Sequence, residues 1–313
     1  MSPAGGVEVV LATFNGAPFL GEQLASLAAQ TVRPLRVVAG DDGSRDGSAE
    51  QVRAGLAAHG LAGDLVAPEA APLGPRGNFS RLLARTTAPY VAFSDQDDRW
   101  DPVKLARMRE HMIRAEAEVG AHTPLLVCCD LRLIDAAGRP LARSFWKHQG
   151  YAPARGRRFG SLLVMNCFPG CAMLMNRALV EAVSPIPATA VMHDWWTALT
   201  AAALGRVIIC PDALMDYRLH PANVIGVPAA GLWALARKFL DRAQVGTALA
   251  GAVAQAQALH GRCVSRLDEA QRRRLDAFCA LPEHGWLRRR WDLVHHRIAK
   301  HGPLRQLSLL LNC

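Results

Sequence analysis

Three carboxylates stand within four residues at Asp95, Asp97 and Asp98, directly after the apolar run Tyr90 to Phe93. Carboxylates this close repel one another unless a cation or an array of donors neutralises them. A divalent metal holding a phosphorylated ligand suits the cluster, because hard cations take carboxylate and phosphate oxygens together. The plainer alternative is a solvated acidic turn that caps the next helix, and a short D-x-D pattern does not exclude it alone.

Other polar breaks could share that chemistry. Ala12-Thr13-Phe14-Asn15 ends an apolar run. It offers an aromatic face for a nucleobase and backbone groups to bond it. Phe14 as a core filler and Asn15 as a turn residue is the competing account. In Asp41-Asp42-Gly43-Ser44-Arg45-Asp46, Asp42 could accept a base imide or a ribose hydroxyl, and Gly43 permits close backbone approach. Asp46 sits where a helix N-cap belongs; Asp41 and Asp42 are harder to explain as caps. Asp194, between His193 and Trp195, is a candidate general base, since partial desolvation would raise its pKa towards neutrality. An N-cap aspartate is the alternative there too. His220 could give an imidazole to a metal, with Arg218 near phosphate, although a lone His is more often structural.

The elements that would carry these residues alternate. Glu8–Ala12, Leu35–Ala39 and Pro89–Ser94 read as buried strands. Helices follow them, from about Phe19 to Pro34, from Asp46 to about Ala58, over Asn78–Thr86, and from Pro102 to about Val119. A Pro/Gly-rich loop spans 68–77. This order implies a parallel sheet, whose ligands bind beyond the strands' carboxyl ends, where all three breaks fall. Further on, strands are expected at Leu125–Asp130, Gly170–Met175, Val207–Cys210 and Ala213–Arg218, with a helix over Met192–Leu204. The topology there is mixed, as for a part that meets a second substrate.

The 313 residues carry a formal net charge of +9, and residues 231–313 hold fourteen Lys/Arg against six Asp/Glu. A near-neutral first part thus precedes a basic tail, which points to an anionic partner surface. The tail reads as helical, with Leu287, Trp291, Val294 and Ile298 on one face and arginines beside them. That suits a helix lying at a membrane interface, or one packing back on the catalytic part or on another subunit. No apolar run is long enough to cross a membrane, and no basic and apolar leader opens the chain. A cytoplasmic protein is expected, with its tail on the inner membrane face. The eight cysteines include no C-x-x-C pair and read as buried free thiols, zinc at Cys167 and Cys171 being the weaker option. The absence of G-x-x-x-x-G-K-[ST] and of G-x-G-x-x-G argues against P-loop and dinucleotide folds. Nucleic-acid binding is not expected, because the charge lies away from any aromatic-bearing sheet face. A sugar-nucleotide nucleotidyltransferase would want a Gly-rich basic first loop, which is missing.

V-V-L-A-T-F-N-G, D-D-G-S-x-D-G-S, F-S-D-Q-D-D-x-W-x-P, G-C-A-M at 170–173, H-D-W-W at 193–196 and Y-R-L-H-P-A-N-V at 217–224 occur in this order. Together they resemble a family 2 glycosyltransferase of the GT-A fold, and the S-D-Q-D-D-x-W form resembles its bacterial rhamnosyltransferase-like branch. The resemblance implies an α/β fold with a mostly parallel nucleotide-binding sheet, residues 7–120, and a mixed acceptor half, 121–230, followed by a basic helical extension, 231–313. It implies a metal-dependent, inverting transfer of sugar from a dTDP- or UDP-linked donor to a glycan or lipid-linked acceptor in surface polysaccharide synthesis. Ala12, Thr13, Phe14, Asn15, Asp42, Arg76, Asn78, Asp95 and Gln96 would bind the donor. Asp97, with His220, would hold Mg²⁺ or Mn²⁺. Asp194 would be the catalytic base, with Gly170, Cys171, His193, Trp195 and Trp196 towards the acceptor. His193 stands where the family usually has Glu, and Phe14 where Tyr is commoner.

Overall fold

Strands β1 (Val7–Thr13), β2 (Arg36–Asp41) and β4 (Tyr90–Ser94) are buried along nearly their whole length. Near-continuous apolar runs of this kind suit a parallel sheet covered on both faces. In the computed structural model, which describes residues 5–220 and 242–313 and the side chains of all these but 242–245, they lie side by side. A fourth strand, β3 (Gly63–Val66), extends the sheet beyond β2. The order is β3-β2-β1-β4-β8-β6-β9-β5, with β7 (Pro140–Ala142) paired to β6 (Leu125–Asp135). The first four strands are parallel, and β8 (Met173–Asn176) runs antiparallel between β4 and β6. The sheet is therefore mostly parallel on the first half and mixed on the second.

Alternation along each strand divides the core between the faces. Val10, Val38 and Phe93 enter one apolar cluster, and Val9, Val37 and Ala92 the other. Helices α1 (Ala17–Ala28), α2 (Ser48–Ala58), α3 (Gly74–Leu83) and α4 (Lys104–Val119) connect the nucleotide-side strands. Short helices α5 (Phe145–His148), α6 (Pro153–Gly156), α7 (Phe159–Leu162) and α8 (Arg177–Val183) follow, then α9 (His193–Leu204). The tail holds α10 (Arg242–Cys263), α11 (Glu269–Cys279), α12 (Trp286–His295) and α13 (Pro303–Asn312).

Several elements differ from the sequence pattern. β3 was not expected, being a four-residue edge strand with little apolar signal. β5 (Arg99–Trp100) hides inside the acidic loop and exists through its pairing with Asp216 and Met215. The two short strands expected after residue 206 are one, β9 (Arg206–Leu219), which passes Pro211 through a register shift against β6. Gly170–Ala172 is a 3₁₀ turn, not strand. Gly47, not Asp46, is the N-cap of α2; Asp46 instead accepts from the Ser48 N–H at 3.1 Å and the Ala17 N–H at 3.0 Å, tying two helix starts together. Ile298 lies past the end of α12 and is fully buried, so it leaves the expected stripe. All eight cysteines are free. The sequence boundary near residue 230 and the end of the Y-R-L-H-P-A-N-V motif, 221–224, lie outside the described residues.

Candidate active site

The tips of β1 and β2 are joined by side-chain hydrogen bonds. The Asp41 carboxylate accepts from the Thr13 hydroxyl at 2.9 Å and from the backbone N–H groups of Gly43 and Ser44 at 3.0 and 2.8 Å. Asp41 thus folds its own loop, a structural role that its place in the sequence did not disclose. Both Asp42 oxygens accept backbone N–H bonds, from Leu73 and Gly74, each at 2.8 Å. They anchor the entry to α3, and each keeps a free lone-pair direction.

Backbone groups expected to be open for a base are not. The N–H of Phe14 donates to Gln96 Oε1 at 2.7 Å, and Gln96 Nε2 donates back to the Phe14 carbonyl at 3.0 Å. The N–H of Asn15 donates to the Ser44 hydroxyl at 2.8 Å, with Asn15 in a left-handed conformation at φ 50°. What Phe14 presents outward is its ring, 51% exposed. Gln96 is therefore a clamp on the β1 tip. Asn78 also has a structural task. It is 1% exposed, donates to the Gly40 carbonyl at 2.8 Å and accepts from Arg81. Ala12, within β1, is partly buried and packs against the core. Arg76 reaches from α3 to the Ala190 carbonyl at 2.8 Å, near the start of α9.

Beyond β4 the acidic loop turns back into β5, whose antiparallel pairing with β9 brings it beside the end of that strand. There Asp97 Oδ2 meets His220 Nε2 at 2.7 Å. The imidazole stacks on Phe19 with ring centres 4.9 Å apart. Arg218 Nε donates to the Asp97 carbonyl at 3.0 Å and its guanidinium reaches Glu22, so the guanidinium braces the loop. The carboxylates of Asp95 and Asp98 and the Cys171 thiol offer ligand atoms within 4.8 Å of one another. Burial, then Asp97 and Asp194, push the Asp95 carboxyl up; burial, then Asp97 and Asp95, raise Asp98 further. Both Asp98 oxygens are buried without a hydrogen-bond partner, beside the Cys171 thiol. The nearby ammonium of Lys104, fully buried, donates to the Cys171 carbonyl at 2.6 Å and sits 3.3 Å over the Trp100 ring. Such an excess of buried negative charge fits a divalent cation.

Asp194 faces this loop from the first turn of α9, and it is not the N-cap, which is Met192. Burial pushes its carboxyl up to about 7, against the pull of donors from the Trp195 and Gly170 backbone and the Asn166 side chain. The 3₁₀ turn at 170–172 thus links the halves of the site: the Gly170 backbone lies near enough to Asp194 to lower its carboxyl, and Cys171 stands beside the acids of the β4 tip.

Four residues expected towards the acceptor are buried. His193 is 5% exposed and stacks on Phe79 with ring centres 4.0 Å apart; burial holds it down at about 3, a neutral core ring. Trp196 is fully buried, its indole N–H donating to the Val183 carbonyl at 3.0 Å. Gly170 and Cys171 are buried too, and act through Asp194 and the acids. Trp195 is partly buried and donates to the Leu162 carbonyl at 2.6 Å. Asn166 and Lys104 were not singled out in the sequence, and Asp98 entered only as a member of the acidic cluster. Asn166 has no signal beyond its turn-forming neighbours, and Lys104 reads as an exposed helix lysine until its burial is seen.

A model of the family described as glycosyl transferase family 2 matches residues 8–182. An uncharacterized glycosyltransferase of Nostoc sp. is 29% identical over 225 residues, which cover 69% of this chain and 66% of that protein. This chain therefore spans somewhat under two thirds of the curated relative it matches. Staphylococcus aureus TarS 1-349, solved in complex with UDP-GlcNAc, aligns over 98% of this chain and 89% of its own, with TM-score 0.53 and 15% identity. The mannosyltransferase PcManGT of Pyrobaculum calidifontis, solved with GDP-Man and Mn²⁺, aligns over 93% and 86%, with TM-score 0.53 and 20% identity. At these identities the likeness to the solved structures is one of fold.

Proposed function

Because the chain belongs to glycosyl transferase family 2 and carries the GT-A fold, we propose that this transferase moves a sugar from a nucleoside-diphosphate donor to an acceptor hydroxyl. One observation carries the reading: Asp95 and Asp98 gather with Cys171 at the β4 tip, and the Asp194 charge on α9 reaches Asp95. The structural neighbours solved with UDP-GlcNAc and GDP-Man support a nucleotide-sugar donor. The exposed Phe14 ring is the face for the nucleobase, with Asp42 beside it at the β2 tip. Asp95 and Asp97, with His220, are the residues to hold Mg²⁺ or Mn²⁺, whose positive charge stabilises the departing diphosphate.

Asp194 takes the proton of the acceptor hydroxyl as that oxygen attacks the anomeric carbon. A single displacement inverts the configuration and needs one base and no carboxylate nucleophile. Gly170, Trp195 and Asn166 hold the carboxylate for that task. The dTDP- or UDP-linked donor, a rhamnosyl group among the sugars, and a glycan or lipid-linked acceptor in surface polysaccharide are the finer reading. Among the described residues no helix is long and apolar enough to cross a membrane. Trp286, Leu287, Trp291 and Val294 on α12 and Leu304, Leu307 and Leu311 on α13 are exposed, beside Arg288 and Arg290 stacked on the two indoles. This basic apolar face suits peripheral attachment to an anionic membrane.

Incubation with sugar nucleotides and Mn²⁺ should release nucleoside diphosphate, not pyrophosphate. Asp194→Asn should abolish release while keeping donor binding, and Asp97→Ala should lose the metal-dependent part of donor-induced thermal stabilisation. Pyrophosphate as product, or full activity in Asp194→Asn, overturns the assignment.

A further inference from the structure

A concave site lies between α6–α7 and the segment joining α12 to α13. It is a groove of about 1100 Å³. Its polar lining includes Arg155, Arg158, Arg274, Arg297, Lys300 and His301, and no Asp or Glu. Among the described residues, none of these four arginines nor Lys300 forms an ion pair; the basic side chains of the tail that do, such as Arg273 and Arg288, lie elsewhere. Arg274 donates to the His296 carbonyl at 2.6 Å, and burial together with the Arg297 charge holds its guanidinium below its usual range. Like charges gathered in a depression without counter-charge are costly unless an anion joins them.

Two further features mark a built site. His301 is 4% exposed, yet both ring nitrogens lack a hydrogen-bond partner. Those nitrogens are enclosed, and burial holds the ring down at about 4, so it walls the groove as a neutral group. Arg297 is held at φ 53°, a left-handed conformation that side chains seldom adopt. The wall behind it is close: a methyl group on Gly160 would lie 2.5 Å from the Arg297 carbonyl oxygen. Gly302 and Pro303, at the start of α13, close one end, where a helix N-terminus favours negative charge.

We propose that this groove binds a phosphate-bearing anion, with the guanidinium forks of Arg155, Arg158 and Arg297 and the Lys300 ammonium on its oxygens. Guanidinium forks match tetrahedral oxyanions, and several together favour a diphosphate over a carboxylate. The site is separate from the acidic cleft and does not depend on the proposed transfer. Its anion comes either from a free phosphate compound or from the headgroup of a lipid, since the exposed Val294 lines both the groove and the apolar face of α12.

The test titrates inorganic pyrophosphate into the full chain by calorimetry, with EDTA present so that the acidic cleft holds no metal. A parallel arm measures binding to phosphatidylcholine vesicles with and without phosphatidate. Arg155→Gln/Arg158→Gln and, independently, Lys300→Gln are compared with wild type, with thermal unfolding as the fold control. Pyrophosphate affinity should fall at least tenfold in the double variant and measurably in Lys300→Gln, with an unchanged unfolding midpoint. Loss of phosphatidate-dependent vesicle binding in the same variants identifies the lipid source; its retention alongside lost pyrophosphate binding identifies the free anion. No pyrophosphate binding by wild type, or equal binding by wild type and both variants, overturns the proposal.

Discussion

Burial pushes the Asp194 carboxyl up to about 7, outweighing the donors around it. A base must be ionised to take a proton, so turnover should rise with pH up to about 7 and level off above it. A pH–rate profile under saturating donor checks this, and a profile flat from pH 5 to 8 would remove Asp194 from the role. The same shift has a stability sign. The unfolded carboxyl titrates near the ordinary value of about 3.9. Between about pH 4 and 7 the folded chain therefore holds more protons than the unfolded, and stability falls as pH rises through that window. Asp194→Asn cannot titrate, so its gain in Tm over wild type should be smallest near pH 4 and largest above pH 7. At this scale the sequence disclosed residue types well and surroundings poorly. Asp97 and His220 were both read as groups for a metal, and their direct contact at 2.7 Å is what the fold adds. The burial of His193 and Trp196 was not, because H-D-W-W at a helix start looks the same whether its face meets solvent or core.

Gly170 shows how an element sets the site. The 3₁₀ turn at 170–172 passes so close to α9 that a methyl group on Gly170 would lie 2.5 Å from His193 Nε2. Gly170→Ala must push the turn away and carry its N–H off Asp194. A displacement of about 1 Å at a catalytic group costs on the order of a hundredfold in rate, so kcat should fall by about that factor with the fold retained. Adding His193→Ala removes the obstructing ring and should recover part of the loss; no recovery would show that the effect arises elsewhere. The long elements were readable from the sequence because apolar runs and helical periodicity mark them. β5 was not, since two residues carry no pattern and only cross-strand partners at Asp216 and Met215 define it. Yet β5 is what turns the acidic loop towards His220, so the least legible element shapes the geometry around Asp97.

For the molecule as a whole, the decisive point is that the tail shares the catalytic core. Leu259, Phe278, Leu293 and Ile298 are fully buried in one cluster with Trp196 and Leu199 of α9. Gln255 of α10 accepts from the Val191 N–H at 3.2 Å, and Arg262 reaches the Val183 carbonyl and lies 5.0 Å over the Trp196 ring. The sequence gives the tail away by composition, as a basic helical segment, but contacts between distant segments leave no periodic trace, and so a membrane helix and one packing back on the catalytic part read alike. The structure describes a segment whose removal uncovers the base of α9, the helix that carries Asp194. A chain ending at residue 241 should therefore lose cooperative thermal unfolding and transfer together. In the full chain, Phe278→Ala should cost about 3–5 kcal/mol, as emptying an aromatic core site does, and lower Tm without changing the exposed face of α12. A truncated chain that unfolds at the midpoint of the intact protein would show that the two parts are independent after all. Vesicle binding is better probed by Leu287→Ser and Trp291→Ser, which change the outward face of α12 and leave Leu293 in place.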